Sequence, residues 1–136
     1  MIKQINHNVN LLAKKATRAT PADSVIVTDL VDTLKANADR AVGLAANMIG
    51  KAKCIIAIQV GPMSIPMINP QIIKKSGPYQ ATEGCLSLDG QKTTTRYKEI
   101  EVKYQDQDFN SHTQTFKDFT AQIIQHEVDH TNGILI

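Results

Sequence analysis

The residues best equipped for chemistry are His126, Glu127 and His130, in the run His126-Glu127-Val128-Asp129-His130. On a helix, residues four apart lie one turn apart on the same face, so both imidazoles can reach a single ion. Glu127 is offset by about 100° from His126 and about 60° from His130. That puts it beside the ion, suited to handling the protons of a water rather than to ligation. The bland alternative is a solvated helix surface. A hydrolytic metal site needs a third protein ligand and an open position for water, and cysteine is the obvious type to supply the ligand. Cys54 opens an apolar run with Ile55, Ile56 and Ile58, where the default is a small buried hydrophobe. Cys85 lies in Glu83-Gly84-Cys85-Leu86-Ser87, where Gly84 is expected to allow close backbone approach.

The elements that must position these residues follow from periodicity and punctuation. The last helix is expected from near Asp118, as N-cap, to about Thr131, with Asn132-Gly133 as its stop. An earlier helix opens at Thr20-Pro21-Ala22-Asp23. Its stripe is Ile26, Val27, Leu30, Val31 and Leu34, and it should fade near Asp39 to Ala41. Between the helices lie strand signals: Ile55 to Val60 stopped by Gly61-Pro62, then Ile65 to Ile68, Ile72-Ile73, Thr82 to Leu88, Ile100 to Tyr104 and Thr113 to Phe116. Glu99, Glu101 and Lys103 alternate with Ile100, Val102 and Tyr104, which predicts a sheet with one wet face. The fold class is α+β, with antiparallel or mixed sheets packed around the C-terminal helix and a helix at the N-terminal side. Residues 1–136 are expected to form one domain.

Composition removes several functions. Fifteen Lys and Arg against thirteen Asp and Glu give a formal charge of +2, too near neutral for phosphate-driven nucleic-acid or acidic-membrane binding. Three Phe and three Tyr make no stacking platform for bases. No apolar run approaches the roughly 20 residues of a bilayer span, and the first residues lack the apolar stretch of a secretory signal. Two cysteines do not make a disulfide scaffold. A cytoplasmic chain is expected.

Three segments together carry a specific resemblance. Glu83 to Ser87, His126 to His130 and Ala41-Val42-Gly43-Leu44-Ala45-Ala46-Asn47-Met48 are similar to the three signature motifs of the peptide deformylase family, in its order and spacing. Ile68-Asn69-Pro70 also resembles a family strand segment. The likeness runs from about Pro21 to the end. It implies that Cys85, His126 and His130 hold one divalent ion, usually Fe²⁺ in the family, with Zn²⁺, Ni²⁺ or Co²⁺ able to occupy the same donors. It implies Glu127 as general base and acid, the Leu86 backbone N–H as an oxyanion donor, and Gly43 within the catalytic segment. The reaction implied is removal of the N-formyl group from the initiating methionine of new polypeptides, by a monomer, at the ribosome. Substrate would lie against Val42, Gly43, Met48, Glu83 and Gly84. Phe119, Gln122 and Ile123 precede His126 by seven, four and three residues, so they share its face and should wall the methionine pocket.

The chain also departs from the family pattern. Met48 stands where the family has a glutamine whose amide donates to the oxyanion, and a thioether cannot donate. Ala41 replaces a glycine, and Asn47 a proline, threonine or valine. Reduced efficiency is therefore expected. A related amidase on another N-acyl substrate, or a deformylase-like binding protein, are the alternatives left open. Asn47 should point away from the site, while Gln122 is either a pocket rim or a functional amide. Glu83 is expected to orient a ligand, and Asp129 to turn from the ion toward a salt bridge with Arg96. His7 and His112 are expected to be solvated, as are Lys51, Lys53, Lys74 and Lys75. With six residues after His130, a compact catalytic core is expected.

Overall fold

The computed structural model describes residues 1–136. The Thr20-Pro21-Ala22-Asp23 signal opens a helix through one 3-10 turn, Pro21–Asp23, that runs into a helix over Ser24–Ala36. The Thr20 N–H donates to the Asp23 carboxylate at 2.9 Å, and Pro21 lacks an N–H where none is needed. Val27, Leu30 and Leu34 of the expected stripe are at most 1% exposed, each burial stabilising the fold by about 1.5–3 kcal/mol. The helix stops earlier than expected because Asn37 folds back on it. Its side-chain amide donates to the Thr33 carbonyl at 2.8 Å, and its backbone N–H reaches the Thr33 and Leu34 carbonyls. A shorter helix over Val9–Leu12, capped by the Asn8 side chain, precedes it and is too brief to leave a periodic signal. We call these α1 (Val9–Leu12) and α2 (Ser24–Ala36).

Five strands form one antiparallel sheet in chain order: β1 (Gly43–Ala45), β2 (Ile55–Val60), β3 (Met63–Cys85), β4 (Leu88–Gln105) and β5 (Ser111–Lys117). Parallel pairing is confined to an isolated bridge between Thr17 and Lys53. In β2, Ile55, Ile56, Ala57 and Ile58 are all buried, so both of its faces are covered, and α2 packs on it. The segments expected as separate strands at Ile65, Ile72 and Thr82 are parts of β3, and Ile100 to Tyr104 is the end of β4. Pro70 and Pro78 lie between the expected segments. Pro70 falls at a bulge, and Pro78 lies where β3 is paired on one side only, both places that tolerate a missing donor. The strand expected to reach Leu88 is instead cut by a two-residue turn, Leu86-Ser87.

The last helix, α3 (Asp118–Thr131), has the expected extent. Asp118 does not cap it: Lys117 holds that position, and Asp118 takes φ 54°, which aspartate tolerates better than most residues. The stop is at Gly133, whose φ is 75° and whose N–H donates to the His130 carbonyl at 3.0 Å. A Cβ there would collide with the Ala13 carbonyl, so glycine is required twice over. α3 packs across β4, β2 and β1, burying Ala121 and Ile124 completely. His112 is exposed, as expected, but it is not without partners. It bonds to Asp106 at 2.7 Å and stacks on Tyr104, because the β4–β5 hairpin brings the three together. Lys53 and Lys74 reach Asp23 and Glu101 at 3.6 Å, and Lys75 lies over the Tyr97 ring.

Candidate metal centre

β3 ends at Cys85 directly beneath the face of α3 that carries His126 and His130. Cys85 Sγ lies 3.3 Å from His130 Nε2, which lies 3.3 Å from His126 Nε2. All three ligand atoms fall within 4.8 Å of one another. Bond lengths of about 2.3 Å to sulfur and about 2.0–2.1 Å to nitrogen around a tetrahedral ion put such donors about 3.3–3.6 Å apart. The donor set therefore fits an ion in both kind and spacing.

The orientation of His126 is fixed from behind. Its Nδ1 donates to Glu83 Oε1 at 2.8 Å, leaving Nε2 to face Cys85 and His130. Glu83 in turn accepts Arg96 Nε at 2.9 Å, Arg96 Nη2 at 2.7 Å and Gln122 Nε2 at 3.0 Å. Arg96 is buried and also donates to Asp129 at 2.6 Å, the salt bridge expected for a residue turned from the ion. Burial alone would raise the Glu83 carboxyl, but the bonds from His126 and Arg96 outweigh it and hold it at about 2. Burial alone would likewise lower His126, yet its contacts with Cys85 and Glu83 raise it to about 10. His130 has no such support, and burial with the neighbouring His126 charge lowers it to about 4.

Glu127 is buried beside these donors, and burial pushes its carboxyl up to about 7 against the opposing His126 charge. Its Oε1 has no hydrogen-bond partner. Gly43, on β1, is what lets this carboxylate sit there. A Cβ at Gly43 would lie 2.9 Å from Glu127 Oε2 and 2.8 Å from Ile123 Cγ2. A buried carboxylate poised near neutral pH, with a free oxygen, is equipped to take and return a proton.

These groups open into a cleft of about 650 Å³ lined by Val42, Gly43, Met48, Glu83, Gly84, Leu86, Phe119, Gln122 and Ile123, with Cys85, His126 and Glu127 on its floor. The sequence-expected residues are thus brought together. Gly84 is not needed for close approach, since a Cβ there would meet the Gly90 carbonyl at an ordinary 3.7 Å. Gln122 lines the cleft, but its amide is committed to Glu83 and to the Tyr79 hydroxyl at 3.1 Å. Asn47 points away as expected, donating to the His130 carbonyl at 2.8 Å. Met48 is buried, and its Sδ accepts the Ala45 N–H at 3.4 Å.

Sequence reading missed the N-terminal segment. The Asn6 N–H donates to the Met48 carbonyl at 2.7 Å, and His7 Nδ1 bonds to the Ser87 carbonyl at 3.1 Å. His7 is exposed, as expected, yet it ties down the turn that follows Cys85. Neither contact has a local pattern that could have announced it.

The whole chain, residues 1–136, matches the family described as polypeptide deformylase. It is 53% identical over 136 residues, the full length of both chains, to a peptide deformylase of Clostridium beijerinckii. It is 37% identical over 129 residues to one from Thermoanaerobacter pseudethanolicus, covering 92% of this chain and 80% of that one. Its fold superposes on the crystal structure of peptide deformylase from Thermotoga maritima with a TM-score of 0.88 at 28% identity, covering 99% and 95% of the two chains. A Met-Ala-Ser-bound class I type b peptide deformylase from Acinetobacter baumannii matches with a TM-score of 0.86 at 26% identity, covering 99% and 96%.

Proposed function

The chain belongs to the polypeptide deformylase family, and from that premise we propose that Cys85, His126 and His130 hold one divalent ion at which Glu127 carries the proton traffic of deformylation. The enzyme hydrolyses the N-formyl group of N-formylmethionyl peptides. The observation that carries the assignment is the convergence of one sulfur and two ring nitrogens at 3.3 Å spacings beside a buried carboxylate. We take the ion to be Fe²⁺, with Zn²⁺, Ni²⁺ or Co²⁺ served by the same donors. When bound, the ion supplies Lewis acidity, making a water readily deprotonated near neutral pH and drawing electron density from the formyl oxygen.

The chain's own residues do the rest. Glu127 takes a proton from the attacking water and returns one to the amine nitrogen as the C–N bond breaks, giving formate and a free amino terminus. The Leu86 N–H, in the turn after Cys85, donates to the oxyanion that forms at the formyl carbon. Glu83, held by Arg96, keeps His126 aimed. Gly43 leaves room for Glu127, and Val42, Phe119 and Ile123 wall the cleft for the methionine side chain, with Met48 and Gln122 beside them. Residues 1–136 act as one monomeric domain in the cytoplasm, on nascent chains at the ribosome. A free thiol as ligand suits a reducing compartment, and no helix is long and apolar enough to cross a membrane.

Glu127→Gln tests the assignment. With metal content equal to wild type, release of formate from formyl-Met-Ala-Ser should fall by about 10²–10⁴. Undiminished release would assign the proton transfer to another group.

A further inference from the structure

Two charged residues of the cleft, Arg40 and Asp89, have no part in the chemistry above. Arg40 lies at the mouth of the cleft, three residues before Gly43, in the turn that follows α2. It is exposed, yet its guanidinium is pinned: Nη2 donates to Asn37 Oδ1 at 2.6 Å. Asn37 is itself buried and fixed by its bond to the Thr33 carbonyl. No carboxylate lies within ion-pair distance of Arg40, so no salt bridge within the chain occupies its guanidinium. The other charges of the cleft are Glu83, already paired with Arg96, His126 on its floor, bonded to Glu83, the buried Glu127, and Asp89 beyond the turn of the β3–β4 hairpin. The motif-bearing wall is therefore cationic at its mouth.

Resting on the proposed activity, we propose that Arg40 is a specificity-determining residue that favours formylated chains with an acidic side chain just after the methionine. Arg40, Gly43 and Glu127 line one cleft, so a chain whose formyl carbon sits beside Glu127 can leave along the wall that holds Gly43. At about 3.3 Å per extended residue, the two or three residues after methionine pass within reach of an arginine three positions away. A fixed guanidinium loses less freedom on pairing than a mobile one, and a carboxylate is its natural partner.

The test uses metal-loaded enzyme and peptide amides, which remove the terminal carboxylate. Formyl-Met-Asp-Ala-amide and formyl-Met-Ala-Asp-amide are compared with their lysine counterparts. At low salt, wild type should prefer the acidic member of at least one pair by about two- to fivefold in kcat/KM, the scale of one exposed ion pair. The preference should shrink in about 0.5 M salt. Arg40→Ala should bring the ratio near one and Arg40→Glu should invert it, the ratio cancelling any general loss of activity. The same peptides are titrated onto Glu127→Gln protein, where affinity needs no turnover. A charge preference in binding without turnover in wild type would overturn the hydrolytic reading alone. Normal turnover with a ratio that Arg40→Glu leaves unchanged would overturn the assignment of Arg40.

Discussion

Glu83→Gln is the perturbation from which the structure predicts most. All the bonds reaching the Glu83 carboxylate come from donors: His126 Nδ1, Arg96 Nε and Nη2, and Gln122 Nε2. An amide there must turn two N–H donors toward at least one of them, whichever way it is flipped. Holding the carboxyl at about 2, against its ordinary 4.5, stabilises the fold near pH 7 by about 3 kcal/mol. Breaking one side of a buried ion pair costs about 3–5 kcal/mol, and Asp129 remains to Arg96, which argues for the lower end. The sign with pH follows from a depressed carboxylate. Its contribution is complete above the unfolded value of 4.5 and is lost as pH falls toward about 2. Urea unfolding of metal-free wild type and variant should therefore differ by about 3 kcal/mol near pH 7, narrowing to about 1.5 kcal/mol near pH 3. Metal affinity, read by competition with a chelator, should fall by about 10- to 100-fold because His126 loses its orienting partner. A difference under about 1 kcal/mol near pH 7, or one that does not narrow in acid, would refute the reasoning.

Two further outcomes follow from the cleft. Gly43→Ala places a Cβ 2.9 Å from Glu127 Oε2 and 2.8 Å from Ile123 Cγ2. It should lower kcat by about tenfold or more with metal content unchanged, since a misplacement of about 1 Å can cost about 10²-fold, and full activity would deny that Gly43 makes room for the base. Met48→Gln offers an amide whose oxygen can take over the Ala45 N–H now bonded to sulfur while its nitrogen donates into the cleft. It should raise kcat/KM on formyl-methionyl peptides by about tenfold or more, below a ceiling of about 10²–10³, and no rise would mean that the second oxyanion donor is supplied elsewhere.

What could be read in the sequence was whatever is local. The bounds of α3, the Gly133 stop and the buried stripe of α2 follow from spacing and capping within a few residues. The convergence of the proposed ligands Cys85, His126 and His130 was legible for the same reason. Two belong to one helix turn, and the third sits in a motif similar to a family signature. The long β3–β4 hairpin was not legible, because Pro66, Pro70, Gly77 and Pro78 punctuate a strand that stays continuous only through bulges and one-sided pairing. Arg96 was paired correctly with Asp129, but its bidentate hold on Glu83 depends on the register of β3 against β4. The same is true of the Asn47 amide on the His130 carbonyl and of the Asn6 and His7 tethers, which join residues far apart in the chain.

The central claim is that one ion, held by Cys85, His126 and His130, makes this site hydrolytic. It is tested most directly by titrating Fe²⁺ anaerobically into metal-free protein while formate release from formyl-Met-Ala-Ser is recorded, for wild type, Cys85→Ser and Cys54→Ser. Activity should rise and level off at one ion per chain in wild type and in Cys54→Ser, and should stay near background in Cys85→Ser. Restoration of Cys85→Ser at the same stoichiometry, or release that does not depend on added metal, would contradict it.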